Sequence, residues 1–513
     1  MSSSKKFNFL VLIFSIVFIF SVFSRFSGSL GVYLAVFLVL CIAFTFFFNN
    51  FEFSLNIYFL PVLLFITTAI VSYFFADYKC NVRNEIFLLS SCAMLYLLKG
   101  FLNNYEKRNV LIIPVLIGLW LTIYLFAVNF AFSKFFEPGM LTEYMRSTSC
   151  FLLLALSLSF VFWWSEKKIY FYISFLIFLA IIMTKSFLAI SAAGLVFAVY
   201  LFFIREKIKI KTTLTVVPFI LISFVSFYFL FKSSFFYDKI LVWKTALFII
   251  KDNFLFGVGF NNYKTVSLAY STIEDTNILY PDNIFLQVLS ESGIFGFIFF
   301  IAMLTIFFYF ILKKLKTYDK TLYLPVLISV ISFLFYNFFS SSAFVSTNML
   351  LFFFLLAFPL DFYNVKQRKK KINSYVIIVL FLPFVIAVGK PLYAVLEYEK
   401  GLSFFATQKY SVAKDYFINA INNDSINPEY TSRLADVYFA IYQKTEKKVF
   451  LDFAIELSNY SSSLNKYNGK YYYQLAWLYH FKNDKQQAAA NITKAVEMDS
   501  FNSLYLEHIT LLS

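Results

Sequence analysis

Along the first 391 residues the chain repeats one pattern, a long apolar run followed by a short polar break. Runs lie near 8–24, 30–48, 56–75, 84–100, 109–131, 148–164, 169–183, 187–204, 213–231, 284–312, 322–341, 343–362 and 374–391. Most come close to the ~20 residues with which a helix crosses a ~30 Å hydrocarbon core. None alternates apolar and polar positions over ~10 residues, as the strands of an outer-membrane barrel would. The pattern predicts an all-α, polytopic helical membrane protein, with about 13 transmembrane helices in residues 1–391. The first run follows Lys5 and Lys6 as a signal peptide would, but no small-x-small cleavage site comes after it. It reads as a retained first helix. One break is far longer than the rest, the loop 232–283.

Beyond Lys390 the long apolar runs stop, and Tyr, Asn, Lys and Ala become prominent. Residues 401–427 carry Gly401, Phe404, Ala413, Phe417 and Ala420, and 476–502 repeat that spacing with Ala476, Tyr479, Ala488, Ile492 and Ala495. Both segments end in Asp-Ser, at 424–425 and 499–500. A middle copy runs through Ala435, Tyr438 and Ala454 if about seven residues are inserted into a period of about 34. Small residues at such positions let paired helices approach, and aromatic ones fill the groove between neighbouring repeats. Residues 392–513 are therefore expected to form an α-solenoid resembling tetratricopeptide repeats, with a plain helical bundle as the alternative. Such a domain suits a protein partner better than catalysis. The chain's two histidines, His480 and His508, fall at helix-interior positions here, where packing or surface roles fit them.

Composition agrees with the pattern: 60% hydrophobic, 22% aromatic and only 14% charged, against about a quarter charged in soluble domains. The formal charge of +15 does not imply nucleic acid, because most basic residues flank the apolar runs. With the N-terminus cytoplasmic, the inner loops hold Lys99/Lys107/Arg108, Lys167/Lys168, Arg205/Lys207/Lys209/Lys211, Lys313/Lys314/Lys316/Lys320 and KQRKKK at 366–371. The opposite loops hold isolated charges such as Arg25, Lys79, Arg83, Lys134, Arg146 and Lys185. That is the positive-inside distribution, with membrane lipids as the partners of the basic flanks. An odd number of spans puts both the 232–283 loop and the repeat tail outside the cytoplasm. Cys41, Cys80, Cys92 and Cys150 are scattered without metal spacing, so neither zinc nor structural disulfides are expected.

No Gly-rich phosphate loop, Cys/His cluster or paired-carboxylate metal motif occurs in the membrane part. Polar chemistry gathers instead at four places on the outer side: LTEYMRSTSC (141–150), MTKSFLAISAAG (183–194), DKILVWKTALFIIKDNFLFGVGFNNYK (238–264) and YPDNIFLQVLSESGIFG (280–296). In the third, Lys239 and Trp243 share a helix face. Trp243, Leu247, Ile250 and Phe254 give that helix an apolar side expected to rest on the bilayer, before Gly257 and Gly259 permit a tight turn. Taken alone, that segment reads as an interfacial helix and turn. In the fourth, a helix starting near Pro281 would align Asn283, Gln287 and Glu291, with Ser290 beside them. Polar groups in a span face a bundle interior or a wet cavity. Gly293 and Gly296 then allow close helix packing. Interhelical hydrogen bonding without catalysis is the alternative for Gln287 and Glu291.

In this order the motifs resemble the O-antigen ligase and O-antigen polymerase family of membrane glycosyltransferases, over roughly residues 130–310. The resemblance rests on Arg146, Thr184-Lys185-Ser186, Lys239 with Trp243, Gly257-Val258-Gly259, Asp282-Asn283, Leu286-Gln287, Glu291, Gly293 and Gly296. It implies an undecaprenyl-pyrophosphate-linked glycan donor at the outer face of a bacterial inner membrane. It also implies transfer to a hydroxyl of lipid A core, of another glycan, or of a protein Ser or Thr. Arg146, Lys185 and Lys239 would hold the pyrophosphate, Trp243, Asn283, Gln287 and Glu291 would line the donor site, and Asp282 would be the catalytic base. No metal or other cofactor is implied, since fixed cations can take the metal's place. The chain departs from the family pattern in three ways. Lys239 stands for an arginine, Phe187 follows Ser186 where an arginine is usual, and Asp282 stands where ligases carry histidine. The Asp form fits polymerase-like relatives better than a standard ligase. Two other classes compete, a polysaccharide transporter and a non-catalytic envelope scaffold.

Overall fold

The computed structural model describes residues 59–99, 108–131, 138–163, 169–208, 212–232, 235–271, 280–317, 320–360 and 374–512. The expected spans at 8–24 and 30–48 lie outside the described residues. Within them the regular structure is entirely helical, as the apolar runs predict. In chain order the helices are α1 Leu60–Phe75, α2 Lys79–Lys99, α3 Ile112–Ala131, α4 Pro138–Trp163, α5 Ile169–Met183, α6 Phe187–Ile208 and α7 Thr212–Lys232. Then come α8 Phe235–Asp252, α9 Tyr263–Tyr270, α10 Ile284–Thr317, α11 Lys320–Asn337 and α12 Ser346–Leu356. The tail holds α13 Ser374–Ala406, α14 Tyr410–Asn423, α15 Pro428–Thr445, α16 Lys448–Leu464, α17 Gly469–Phe481, α18 Lys485–Met498 and α19 Ser503–Leu512.

Three described helical stretches are long and apolar enough to cross a membrane: Arg108–Phe126, Ile284–Thr317 and Lys320–Asn337. A fourth arises if Val217–Leu230 and Phe235–Asp252, which meet at 65°, form one bent span. Shorter apolar helices include Leu60–Phe75, Ser147–Phe162 and Ile169–Met183. The centre of the bundle is α4. From Cys150 to Phe162 its described side chains are buried on all faces, which is why that run has no polar stripe. Its serines satisfy themselves locally: Ser157 and Ser159 donate back to Leu153 O and Leu156 O, and Ser159 also meets Ser174 of α5 at 2.6 Å. Against this core α10 packs on α1, where Phe65 lies 6.1 Å from Phe300 and edge-on to Phe260.

The tail is a succession of helix pairs joined by short turns. Ala413, Phe417, Ala420, Ala435, Ala454, Ala476, Ala488, Ile492 and Ala495 are all fully buried, at the positions the spacing marked as close contacts. A side chain at Gly401 would meet the Phe417 ring at 2.7 Å, so the helices of that pair touch across it. The inserted residues of the middle copy lengthen its helices. α15 has 18 residues against 13 in α17, and α16 has 17 against 14 in α18. His508 accepts or donates a 2.7 Å hydrogen bond with the Tyr473 hydroxyl, inside an aromatic stack. The expected boundary at 391/392 lies within one continuous helix, α13.

Candidate functional site

The fourth polar segment folds around a broken helix. Asp282 has a positive φ of 48°, and Asn283 follows it as the N-cap of α10, its Oδ1 accepting from Phe285 N and Leu286 N at 2.9 and 3.1 Å. The helix therefore starts at Ile284 rather than near Pro281. Asn283, expected to line the donor site, has its side-chain oxygen engaged in capping. Two turns on, Gly293 (φ 66°, ψ −171°) interrupts the helix and frees backbone groups. The Gly257–Gly259 turn takes them up. Val258 N and Gly259 N donate to Ser290 O and Glu291 O at 2.9 Å, and Ile294 N donates to Phe254 O at 2.9 Å. A Cβ at Gly257 would stand 2.4 Å from Glu291 O, and one at Gly293 2.2 Å from Leu255 O. Two backbones meet here with no room for a side chain on either. A Cβ at Gly259 would stand 2.6 Å from the Val82 side chain and 2.8 Å from Ala76, and one at Gly296 would stand 3.2 Å from Thr68 of α1, as expected for helix packing.

Behind this junction is a set of buried polar side chains. Glu291 is fully buried, and its Oε1 accepts from Tyr263 N at 3.4 Å. Gln287 is hydrogen-bonded to it. Glu85 of α2 comes close enough to interact electrostatically with Glu291. Among the described residues no hydrogen-bond partner faces Glu291 Oε2, Gln287 Oε1, Glu85 Oε1, Asn262 Oδ1 or the Tyr263 hydroxyl. Buried polar atoms left so are costly. Five within one region suit a hydroxyl-rich ligand or bridging water. Burial, aided by Asp282 and Glu291 nearby, raises the Tyr263 phenol well above its ordinary range, so it stays a proton donor.

The rim is formed by α8 and the start of α10. Lys239, nearly buried, is ion-paired with Asp282 and lies 5.1 Å from the Phe235 ring. Trp243, one turn on, stacks at 6.1 Å on Phe339 and meets Phe338 edge-on at 5.8 Å. Its indole Nε1 is buried without a partner among the described residues. The expected lipid-facing side of this helix is thus divided. Trp243 and Ile250 pack inward, while Leu247 and Phe254 are about half exposed, as are Ile240 and Leu255. The inward placement follows from the segment after α11, which supplies Phe338 and Phe339.

That segment also draws in the first two polar places. The Tyr336 hydroxyl hydrogen-bonds with Ser149, Ser186 and Ser340, and Asn348 donates to Ser147 O and Ser342 O at 3.1 and 2.8 Å. The starts of α4 and α6 therefore meet the end of α11, the same end of the bundle as Trp243. Arg146 lies on the described helix of α4, but its side chain is outside the described residues. Lys185 occupies a turn with φ 55° and is exposed. Sequence reasoning missed Glu85, Asn262, Tyr263, Tyr336 and Ser340. Glu85 carried a usable signal, an acid inside an apolar run; the others look like ordinary polar residues until the fold unites them.

Residues 139–301 match the family described as O-Antigen ligase. The match begins just before Arg146 and ends just after Gly296, so it contains all four polar places. It supports polysaccharide biosynthesis of the O-antigen ligase kind for a helical membrane protein of glycosyltransferase-like type. No curated protein matches the chain. Among solved structures, the first TPR of Spaghetti (RPAP3) bound to HSP90 peptide SRMEEVD is similar at 20% identity, over 23% of this chain and 90% of that chain, with a TM-score of 0.21. A likeness that slight does not bear on the fold.

Proposed function

We propose that the chain transfers a glycan from a polyprenyl-pyrophosphate carrier to an acceptor hydroxyl at the outer face of a bacterial inner membrane. The observation that carries this reading is the Lys239–Asp282 pair at the rim, inside the matched segment. The reaction needs a cation for the leaving pyrophosphate and a base for the acceptor proton, and the pair holds one of each. An arriving pyrophosphate competes with Asp282 for Lys239. As Lys239 turns to phosphate, the Asp282 carboxylate is freed. The acceptor oxygen then bonds to the anomeric carbon and gives its proton to Asp282. The bond from that carbon to the pyrophosphate oxygen breaks, and its electron pair leaves with the carrier. Arg146 and Lys185, at the same end of the bundle, complete the anion site. Lys239 serves here as a point charge, which phosphate accepts without the bidentate fork of arginine. The polar atoms around Gln287, Glu291 and Tyr263 face the sugar hydroxyls.

In this reading the N-terminus is cytoplasmic, about thirteen spans cross the membrane, and the tail is an extracytoplasmic repeat domain of tetratricopeptide type. A reporter fused at Ser513 should be active only outside the cytoplasm; cytoplasmic activity would overturn the tail's placement. The chemistry is tested by Arg146→Ala, Lys239→Ala and Asp282→Asn singly, followed by gel analysis of surface glycan. Removing a general base typically slows turnover by about 10²–10⁴-fold, so Asp282→Asn should abolish visible product. Unchanged glycan length and attachment in all three would sink the enzyme. Deleting the chain identifies the acceptor: single short units mark a polymerase, unattached polymer a ligase, and unglycosylated protein a protein glycosyltransferase.

A further inference from the structure

The stretch between α1 and the first turns of α2 grips two things at once. On one side it holds the glycine turn. Asn81 Nδ2 donates to Asn261 O at 3.0 Å, and Tyr78 O accepts from Asn262 Nδ2 at 2.8 Å. On the other side it holds the tail. Arg83 makes a two-point contact with Asp424, Nη1 to Oδ1 at 2.6 Å and Nη2 to Oδ2 at 3.0 Å, and the Asp424 side chain is 3% exposed. Lys466 pairs with Asp77 at 2.9 Å. Next to it, Tyr467 packs on the apolar cluster of Ala246, Ile249, Val258, Tyr263 and Val266, which joins α8, the glycine turn and α9.

Asp424 and Lys466–Tyr467 occupy the turns after α14 and α16, where one helix pair gives way to the next. The tail therefore meets the bundle with its inter-repeat turns, along one edge. A bidentate guanidinium–carboxylate pair has fixed geometry as well as strength. Mostly buried, it also leaves a strong penalty if one partner is removed. A loosely tethered recruiting arm needs no such contact with the residues that hold a catalytic loop.

We propose that the tail is a positioning element of the site in the same chain. Its turns at 424 and 466–467 clamp residues 77–83, which keep the Gly257–Gly259 turn seated on the helix break at Gly293. Arg83 and Asp424 are positioning residues, acting through Asn81 and the Tyr78 carbonyl on the turn and through it on Glu291. The structural part of this proposal stands without the glycosyl-transfer reading; only its activity readout rests on that reading.

Hydrogen exchange on the full chain in nanodiscs tests it, read on peptides covering 254–262 and 288–296. Asp424→Asn should speed exchange there by roughly tenfold, as loss of a charge-assisted bond shifts a local opening equilibrium, while peptides from α15 to α18 keep their protection. The swapped pair, Arg83→Asp with Asp424→Arg, should restore slow exchange. Should Asp424→Asn loosen the tail itself, Arg83→Gln leaves the tail sequence intact and must produce the same speeding. Unchanged exchange at 254–262 in both single variants overturns the proposal, and so does a swap that re-docks the tail without restoring protection. In the transfer assay the single variants should lower turnover with the donor KM unmoved, and the swap should recover it. If the unaltered chain transfers nothing, the functional reading fails while the exchange result still decides the clamp.

Discussion

Two glutamines, the half-buried Gln474 of the tail and the buried Gln287 at the mouth of the bundle, show two ways of holding polarity. In the tail, Gln474 donates to Asp436 at 2.6 Å and to Ser432 O at 3.0 Å, and accepts from the Ser432 hydroxyl at 2.9 Å. At the mouth of the bundle, Gln287 is 1% exposed and its Oε1 has no partner among the described residues. Burial pushes the Asp436 carboxyl up, but Arg433 and Gln474 answer it. Around Gln287 several such groups remain unanswered together. A network closed on itself fixes one packing arrangement and has nothing left to offer a ligand. An open set of buried donors and acceptors costs stability, and such a cost is expected where a ligand completes it.

The strongest way to break this contrast is at the junction both sets depend on. Gly293→Val places a branched side chain at a φ of 66° against Leu255 O. It should cost more than about 3 kcal/mol, seen as loss of folded protein and of all transfer. Normal folding and activity would show that the turn is not seated on the break. Next, Glu291→Gln and Gln287→Leu should reduce transfer by at least about tenfold and lower Tm only slightly, because Glu291 Oε2 and Gln287 Oε1 have no partner among the described residues. If Tm falls and transfer holds, those residues only join helices. In the tail the reverse is expected. Gln474→Ala should lower the tail's stability by about 1–3 kcal/mol, measured by its own unfolding transition, and leave transfer intact below that transition.

The smallest effect is a pH response outside the bundle. The Tyr270 hydroxyl donates to Asp252 at 2.9 Å, and burial together with that carboxylate pushes its pKa up to about 12. Its folded value lies above the unfolded value of about 10. The contribution is therefore complete below pH 10 and is lost as pH rises through about 12. Tyr270→Phe should remove that alkaline step in stability and change little at neutral pH. An identical alkaline profile for the variant would place the hydroxyl outside the folded network.

How much was legible follows how far apart the interacting residues stand in the chain. The small residues of the tail were readable from spacing, since Ala413, Phe417 and Ala420 follow the period of a helix that packs on its neighbour. Lys239 and Trp243, four apart, do share the rim. Gly293 is expected to permit close packing, and it does so against Leu255 and Phe256, but it also opens its own helix, which depends on those residues arriving opposite it. Trp243 was expected on the bilayer and is held inward by Phe338 and Phe339, nearly a hundred positions later. Asn81 and Asn261 stand 180 positions apart, and Arg83 and Asp424 stand 341 apart. No local pattern encodes such pairs.

By itself the sequence determined what each segment must be. Uninterrupted apolar runs commit residues to helices that hide every backbone group, and alternating small and aromatic positions commit the tail to paired helices. It also determined where polarity is concentrated, because a polar side chain in an apolar run has few tolerable places to go. Only the tertiary structure decided which polar groups find partners. It gave Asn283 to capping, Lys239 to Asp282 and the broken-helix carbonyls to the glycine turn. It left Gln287, Glu291 and Tyr263 with oxygens unmatched. Hydrogen bonds and ion pairs act over a few ångströms, whatever the distance along the chain, so their pairing is settled only when the helices have met.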